Sequence, residues 1–94
     1  MNINHEETNT KGAFFIEENG TRIAELTYSK NGDYRIILDH TEVSEEYKGK
    51  GLGKQLVFRS VEYAREKNLK ILPLCPYARV VFRRNKEEFR DVTR

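Results

Sequence analysis

Between Gly12 and Val43 the chain reads GAFFIEENGTRIAELTYSKNGDYRIILDHTEV, three apolar runs parted by Asn19-Gly20 and Asn31-Gly32. Asn-Gly is a strong hairpin signal, because a two-residue type I′ turn needs positive φ at both central positions. The stretch therefore predicts a three-stranded antiparallel meander with no room for a helix inside it. Ile23, Glu25 and Thr27 alternate with Ala24, Leu26 and Tyr28, so one face of the second strand can be buried. Ile36, Ile37 and Leu38 are consecutive, which predicts a third strand, Tyr34 to Val43, covered on both faces. The first ten residues are polar and patternless and are expected to be disordered.

Beyond a polar loop, Ser44 to Lys50, the residues Leu52, Leu56, Val57, Ser60, Val61 and Ala64 fall at helical spacing. They predict a helix from about Gly51 to Lys67, ended by Asn68, which tolerates the left-handed conformation. KILPLC is a short apolar strand stopped by Pro76, and Ala78, Val81 and Phe82 mark a further short helix. The expected fold class is α+β in the order β-β-β-α-β-α: an antiparallel three-stranded meander, then a strand-helix-strand crossover with parallel pairing, then a C-terminal helix. The 94 residues are expected to form a single domain, 1–94.

A mean hydropathy of −0.78 and 34 % charged residues would permit disorder, but ten aromatics and periodic apolar segments argue for a packed core. The single cysteine, Cys75, excludes an internal disulfide framework and a cysteine-cluster metal site, and His5 and His40 show no zinc-ligand spacing. No run approaches the roughly 20 apolar residues of a membrane span, and the N-terminus lacks signal-peptide architecture. A cytoplasmic, reduced protein is the expectation. The net charge of +2 conceals a division. Residues 1–46 carry four Lys/Arg against ten Asp/Glu, and residues 47–94 carry thirteen against five. The basic half suits an anionic partner, and the acidic half a cationic one.

The most distinctive stretch is EEYKGKGLGKQLV, residues 45–57. It lies between a strand and a helix start, where four backbone N–H groups lack intrahelical acceptors and carry about half a positive charge. Gly49, Gly51 and Gly53 let the backbone curl and keep side chains clear, while Lys48, Lys50 and Lys54 add full charges. The inference is an anion site for a phosphate or pyrophosphate. Two nucleotide motifs fit poorly. A P-loop needs Ser or Thr after its lysine, where this chain has Gln55, and the dinucleotide fingerprint needs a glycine where Lys54 stands.

VSEEYKGKGLGKQLV resembles the acyl-CoA signature Q/R-x-x-G-x-G/A of the GNAT superfamily of N-acetyltransferases. Lys48 takes the Gln/Arg place, Gly49 and Lys50 the variable ones, and Gly51, Leu52 and Gly53 match directly. Val43 precedes the turn as the last apolar residue of its strand. The resemblance covers roughly residues 12–85 and implies acetyl-CoA as cofactor, its pyrophosphate held at Lys48 to Lys54. It also implies a reduced, stand-alone version of that fold, of the small subgroup with a cysteine after the penultimate strand. The helices usual after the first strand and the two closing strands have no counterpart in the pattern.

In the larger superfamily a tyrosine of the segment after this strand often protonates the departing thiolate. Laid on CPYARVVF, that pattern puts Cys75 on its Asn, Ala78 on its Ala and Phe82 on its Tyr, and phenylalanine donates no proton. Cys75 is thus a candidate to accept the acetyl group or to act as the acid, unless it is simply a small buried residue. His40 is a candidate base for the amine or activator of Cys75, and Tyr77 a substitute acid. Arg83 and Arg84 can reach for the 3′-phosphate of coenzyme A, and Asp39 and Glu42 can steer a cationic acceptor. The leading expectation is an acetyl-CoA-dependent N-acetyltransferase acting on an amine, of a small molecule or a protein. The alternatives are a non-catalytic acyl-CoA-binding module and a nucleic-acid binder. Basic residues concentrated in helices and one turn, without interleaved aromatics on a sheet face, argue against the last.

Overall fold

The computed structural model describes residues 2–93. Its strands are β1 (Asn4–Glu7), β2 (Lys11–Glu18), β3 (Thr21–Asn31), β4 (Arg35–Val43) and β5 (Lys70–Pro73), and its helices are α1 (Leu52–Lys67) and α2 (Pro76–Arg84). The strands form one sheet in the order β1-β2-β3-β4-β5, antiparallel up to β4 and parallel between β4 and β5. Short 3-10 turns follow β4 (Glu45–Tyr47) and precede the C-terminus (Arg90–Val92).

The α+β class and the parallel crossover agree with the sequence reading, but the meander has four strands. Residues 4–7 are a strand, which corrects the expectation that residues 1–10 are disordered; Met1 and Arg94 lie outside the described residues. The strand Asn-His-Glu-Glu has no apolar pattern because it is anchored by polar groups. The His5 ring stacks on Phe14 at 4.2 Å, and Glu7 Oε2 accepts hydrogen bonds from the hydroxyls of Tyr28 (2.8 Å) and Tyr63 (2.7 Å). His5 Nε2 lies 2.6 Å from the Tyr28 oxygen, whose proton goes to Glu7, so Nε2 is the donor in that pair.

Burial alone would raise the Glu7 carboxyl, but the hydrogen bonds from Tyr63, Tyr28 and Lys30 outweigh it and hold its pKa below the ordinary 4.5. Burial likewise lowers His5 below 6.5, with Glu7 only partly offsetting it. Both groups bind protons more tightly in the unfolded chain, so their contributions to stability are present above those ordinary values and are lost as pH falls. The melting temperature should therefore fall on acidification, first below about pH 6.5 and more steeply below about 4.5. Glu7→Gln should flatten the lower part of that profile. Thermal melts from pH 7 to 3 check this; an equally steep acid limb in the variant would show that other groups carry it.

Two turn expectations fare differently. Asn19 and Gly20 have φ of 52° and 79°, as a type I′ turn requires. Asn31, in contrast, stays in β3 paired with Arg35, whose Nε donates to Asn31 Oδ1 at 3.0 Å, so the second turn spans residues 32–34. Nor is β4 covered on both faces: Ile36 and Leu38 are buried, whereas Ile37 is only half-buried on the side away from α1.

The predicted stripe of α1 is buried in full, joined by Tyr63, and Asn68 closes the helix with φ 61°. Against it pack Phe14, Leu26, Leu38 and Ile71 of the sheet, and Val81, Phe82 and Phe89 from the C-terminal part. The register slips once in β4, where Thr27 faces His40 but Tyr28 faces Leu38, leaving Asp39 as the extra residue of a bulge. Beyond it, Thr41 and Val43 continue the helix-facing side begun by Ile36 and Leu38, while His40 and Glu42 point the other way.

Candidate active site

Two features of the fold meet at the C-terminal end of β4. The first is the turn into α1. Gly49 and Gly51 have φ of 82° and 77°, and nothing lies within 4 Å of a Cβ built on either, so the backbone conformation alone demands glycine there. Gly53 answers a different need: its Cβ would fall 2.9 Å from the ring of Tyr77, which lies across the turn. No side chain caps α1 and no acidic residue sits in its first turn. The first helical bond runs from Gln55 N–H to Gly51 C=O at 3.1 Å, so the amides of Leu52, Gly53 and Lys54 have no intrahelical acceptor. Three free amides at a helix start are the arrangement that suits an anion.

The second feature is a slot in the sheet. The β4–β5 ladder ends at Leu38–Pro73, and the Leu38 carbonyl accepts from the amides of both Leu74 (3.1 Å) and Cys75 (3.0 Å). Pro76 then opens α2 and takes the chain away, while β4 runs on to Val43. Ser44 N–H turns toward β3, donating to Ile23 C=O at 2.7 Å, so by strand alternation Thr41 and Val43 turn their amides and carbonyls into the slot. A cleft of about 430 Å³ joins slot and turn, lined by Thr41, Val43, Tyr47, Gly49, Gly51 and Tyr77 among others.

Cys75 is the N-cap of α2 and is 4 % exposed. Its Sγ accepts from Ala78 N–H at 3.4 Å and lies 3.1 Å from Thr41 Oγ1. Thr41 therefore stands between the sulfur and the cleft. Tyr77, 41 % exposed, is no core residue. Burial raises its phenol pKa, with Arg84 opposing and Cys75 adding to the rise.

His40 is not beside Cys75, which corrects that expectation. It faces the opposite side of the sheet, its Nε2 3.7 Å from Glu42 Oε1, because Thr41 occupies the helix-facing position. Lys48 stays at the turn, paired with exposed Glu45 at 3.3 Å, and Lys50 is exposed beside it. The Lys54 ammonium instead lies 5.7 Å from the Phe58 ring centroid, one turn along α1, so Lys54 brings the turn its amide and not its charge. Leu52 and Ala78 are buried, and Ala78 N–H serves the Cys75 sulfur. Arg83 and Arg84 are exposed at the far end of α2, and Arg84 shares the stripe of Tyr77, seven residues earlier. Phe82 is buried against Phe89 at 4.8 Å. Thr41 and Tyr47 were missed from sequence. Thr41 faces the cleft only because of the bulge, which leaves no residue-type signal.

The family model of the GCN5-related N-acetyl-transferases matches residues 13–92. This chain belongs to that family. A GCN5-like protein from Staphylococcus aureus, known as an NMR solution structure, is similar with 35 % identity and a TM-score of 0.69, covering 97 % of this chain and 87 % of the other. A ribosomal-protein-alanine N-acetyltransferase from Brucella melitensis shares the fold at 18 % identity and a TM-score of 0.69, covering 82 % of this chain. The chain spans 62 % of that enzyme's length. The aminoglycoside enzyme AAC(6')-Iy, in complex with the bisubstrate analogue CoA-S-monomethyl-acetylneamine, shares it at 15 % identity and a TM-score of 0.58, over 85 % of this chain and 61 % of that one. No curated protein matches the chain in sequence. Among the described residues, no helix of this GCN5-related chain is long and apolar enough to cross a membrane.

Proposed function

We propose that the protein is an acetyl-CoA-dependent N-acetyltransferase acting on an amine. The observation that carries this reading is the continuity of an uncapped, glycine-lined helix start with a slot whose inner end is the Thr41–Cys75 pair. In it the amides of Leu52 to Lys54, with Lys48 and Lys50, hold the pyrophosphate, and Arg84 is the better placed of the two arginines for the 3′-phosphate. The pantetheine arm lies along the backbone of Val43 and Thr41. The amine nitrogen attacks the thioester carbonyl, the C–S bond breaks, and the Cys75 thiol, relayed by the Thr41 hydroxyl, gives its proton to the departing thiolate. The incoming ammonium first loses one proton to His40, on the face from which it arrives; the nitrogen sheds a second to solvent as the tetrahedral intermediate collapses, and solvent returns a proton to Cys75.

Calorimetry should show acetyl-CoA binding and no comparable binding of ATP; the reverse order would sink the reading. With an amine acceptor present, Cys75→Ala and Thr41→Val should each lower kcat by roughly 10²-fold with little change in the KM for acetyl-CoA, as loss of a general acid does. Incubated with acetyl-CoA alone, the wild type should keep its intact mass. A gain of one acetyl group that Cys75→Ala abolishes would replace direct transfer with an acyl-cysteine step.

A further inference from the structure

The sheet face away from α1 carries no helix among the described residues, and its open positions are mostly polar, Thr27, Ser29, Asp39 and Glu42 among them. β5 breaks that pattern. In Lys-Ile-Leu-Pro-Leu, residues 70–74, strand alternation buries Ile71 against the core and turns Leu72 and Leu74 the other way, where they are 36 % and 46 % exposed. Ile37 pairs with Leu72 across the parallel ladder and is half-buried on the same face. β5 is the last strand of the sheet, and beyond it only Thr93 bridges to Ile71 among the described residues. The three aliphatic side chains therefore form a strip open to water. Single exposed apolar residues are common, but a contiguous strip marks a surface that something covers.

The position of the strip says what covers it. Leu74 adjoins Cys75, where the last ladder pair, Leu38–Pro73, gives way to the slot. The cleft is lined by Thr41 and Val43 from the helix-facing side of β4 and by Glu42 from the open side. A group held in the slot by its thioester can thus pass its far end through to the open face. From Cys75 the strip runs back along β5 for three residues, about 10 Å, to Leu72. An acetyl group ends at the mouth of the slot. A straight chain of four to eight carbons lies along the leucines and leaves the β4 side of that face, with His40, to the amine.

Resting on the acetyl-transfer reading, we propose that the same site takes longer donors, straight-chain acyl thioesters of coenzyme A with four to eight carbons, their tails lying on Ile37, Leu72 and Leu74. The bonds exchanged are those of acetyl transfer, N–C formed and C–S broken, and the tail takes no part in the chemistry. Full burial of a methylene favours binding about fourfold, so a strip that covers one side of the chain gives roughly twofold per methylene.

The test compares acetyl-CoA, butyryl-CoA and hexanoyl-CoA on the full chain, by calorimetry and, with one amine acceptor, by thiol release. Hexanoyl-CoA should bind roughly tenfold more tightly than acetyl-CoA, with butyryl-CoA between them, and each should be transferred with a kcat within about fivefold of the acetyl value. Leu72→Thr with Leu74→Thr should bring the hexanoyl-to-acetyl affinity ratio close to one. Tyr34→Thr, an exposed apolar residue at the opposite end of β4, should leave that ratio as in the wild type. The ratio is taken within each protein, so a general loss of stability does not imitate the effect. If hexanoyl-CoA binds no better than acetyl-CoA, is bound but not transferred, or keeps its advantage in the double variant, this proposal fails and the acetyl-transfer reading stands. It fails equally if sedimentation shows a dimer that the double variant dissociates, since a second copy then covers the strip. If none of the thioesters binds, both fail.

Discussion

Gly51→Val is expected to abolish measurable acetyl-CoA binding while leaving the protein folded. At φ 77° a valine is strained by about 1–2 kcal/mol or more, and the backbone relieves this only by leaving the left-handed region. The amides of Leu52 and Gly53 then no longer converge on one point. No atom lies within 4 Å of the added Cβ, so the core is spared and the melting temperature should fall by only a few degrees. Asn at this position tolerates the left-handed region and should bind with an intermediate affinity. Calorimetry on the three proteins decides the matter. Equal affinities across the series would mean that the turn conformation is not what holds the cofactor.

The largest loss of stability is expected at Gly12, a residue of no chemical interest. A Cβ there would lie 2.2 Å from Tyr28 Cζ and 2.3 Å from its hydroxyl. Tyr28 cannot yield, being fully buried with its hydroxyl tied to Glu7 and His5. Gly12→Ala should cost about 3 kcal/mol through overpacking. For a chain of this size that is a fall of roughly 12–24 °C in melting temperature. The cause is checked by a double-mutant cycle: adding Tyr28→Leu should recover part of the loss, so that the pair costs less than the sum of the single changes. Strict additivity would move the explanation away from the tyrosine.

What could be read from the chain alone follows from how each element is held. Asn19-Gly20, the stripe of α1 and the glycine turn depend on local backbone demands or on apolar periodicity, and residue types record both. β1 depends on a carboxylate and an imidazole reaching into an aromatic pocket built by β2, β3 and α1, so its four polar residues resemble a tail. The second Asn-Gly misled for a related reason: Asn31 accepts a hydrogen bond from Arg35 and stays extended, overriding its turn preference. At the site, Gly49, Gly51, Gly53 and the position of Cys75 were legible as motif and strand end. The partner of Cys75 was not, because the one extra residue at Asp39 sets which of His40 and Thr41 faces the sulfur, and a bulge has no fixed signature in residue type.

The bare start of α1 places folding and ligand capture in competition for the same three amides. A helix start built instead on an extended serine or aspartate would be completed from within, an N-cap commonly contributing about 1 kcal/mol. It would also occupy the donors on which any anion at this turn depends. The protein therefore keeps its longest helix unfinished at one end, and in the proposed function the group that finishes it is the pyrophosphate of the cofactor. A variant selected only for thermal resistance would tend to close that end, gaining durability at the expense of the donors that the proposed function assigns to the cofactor.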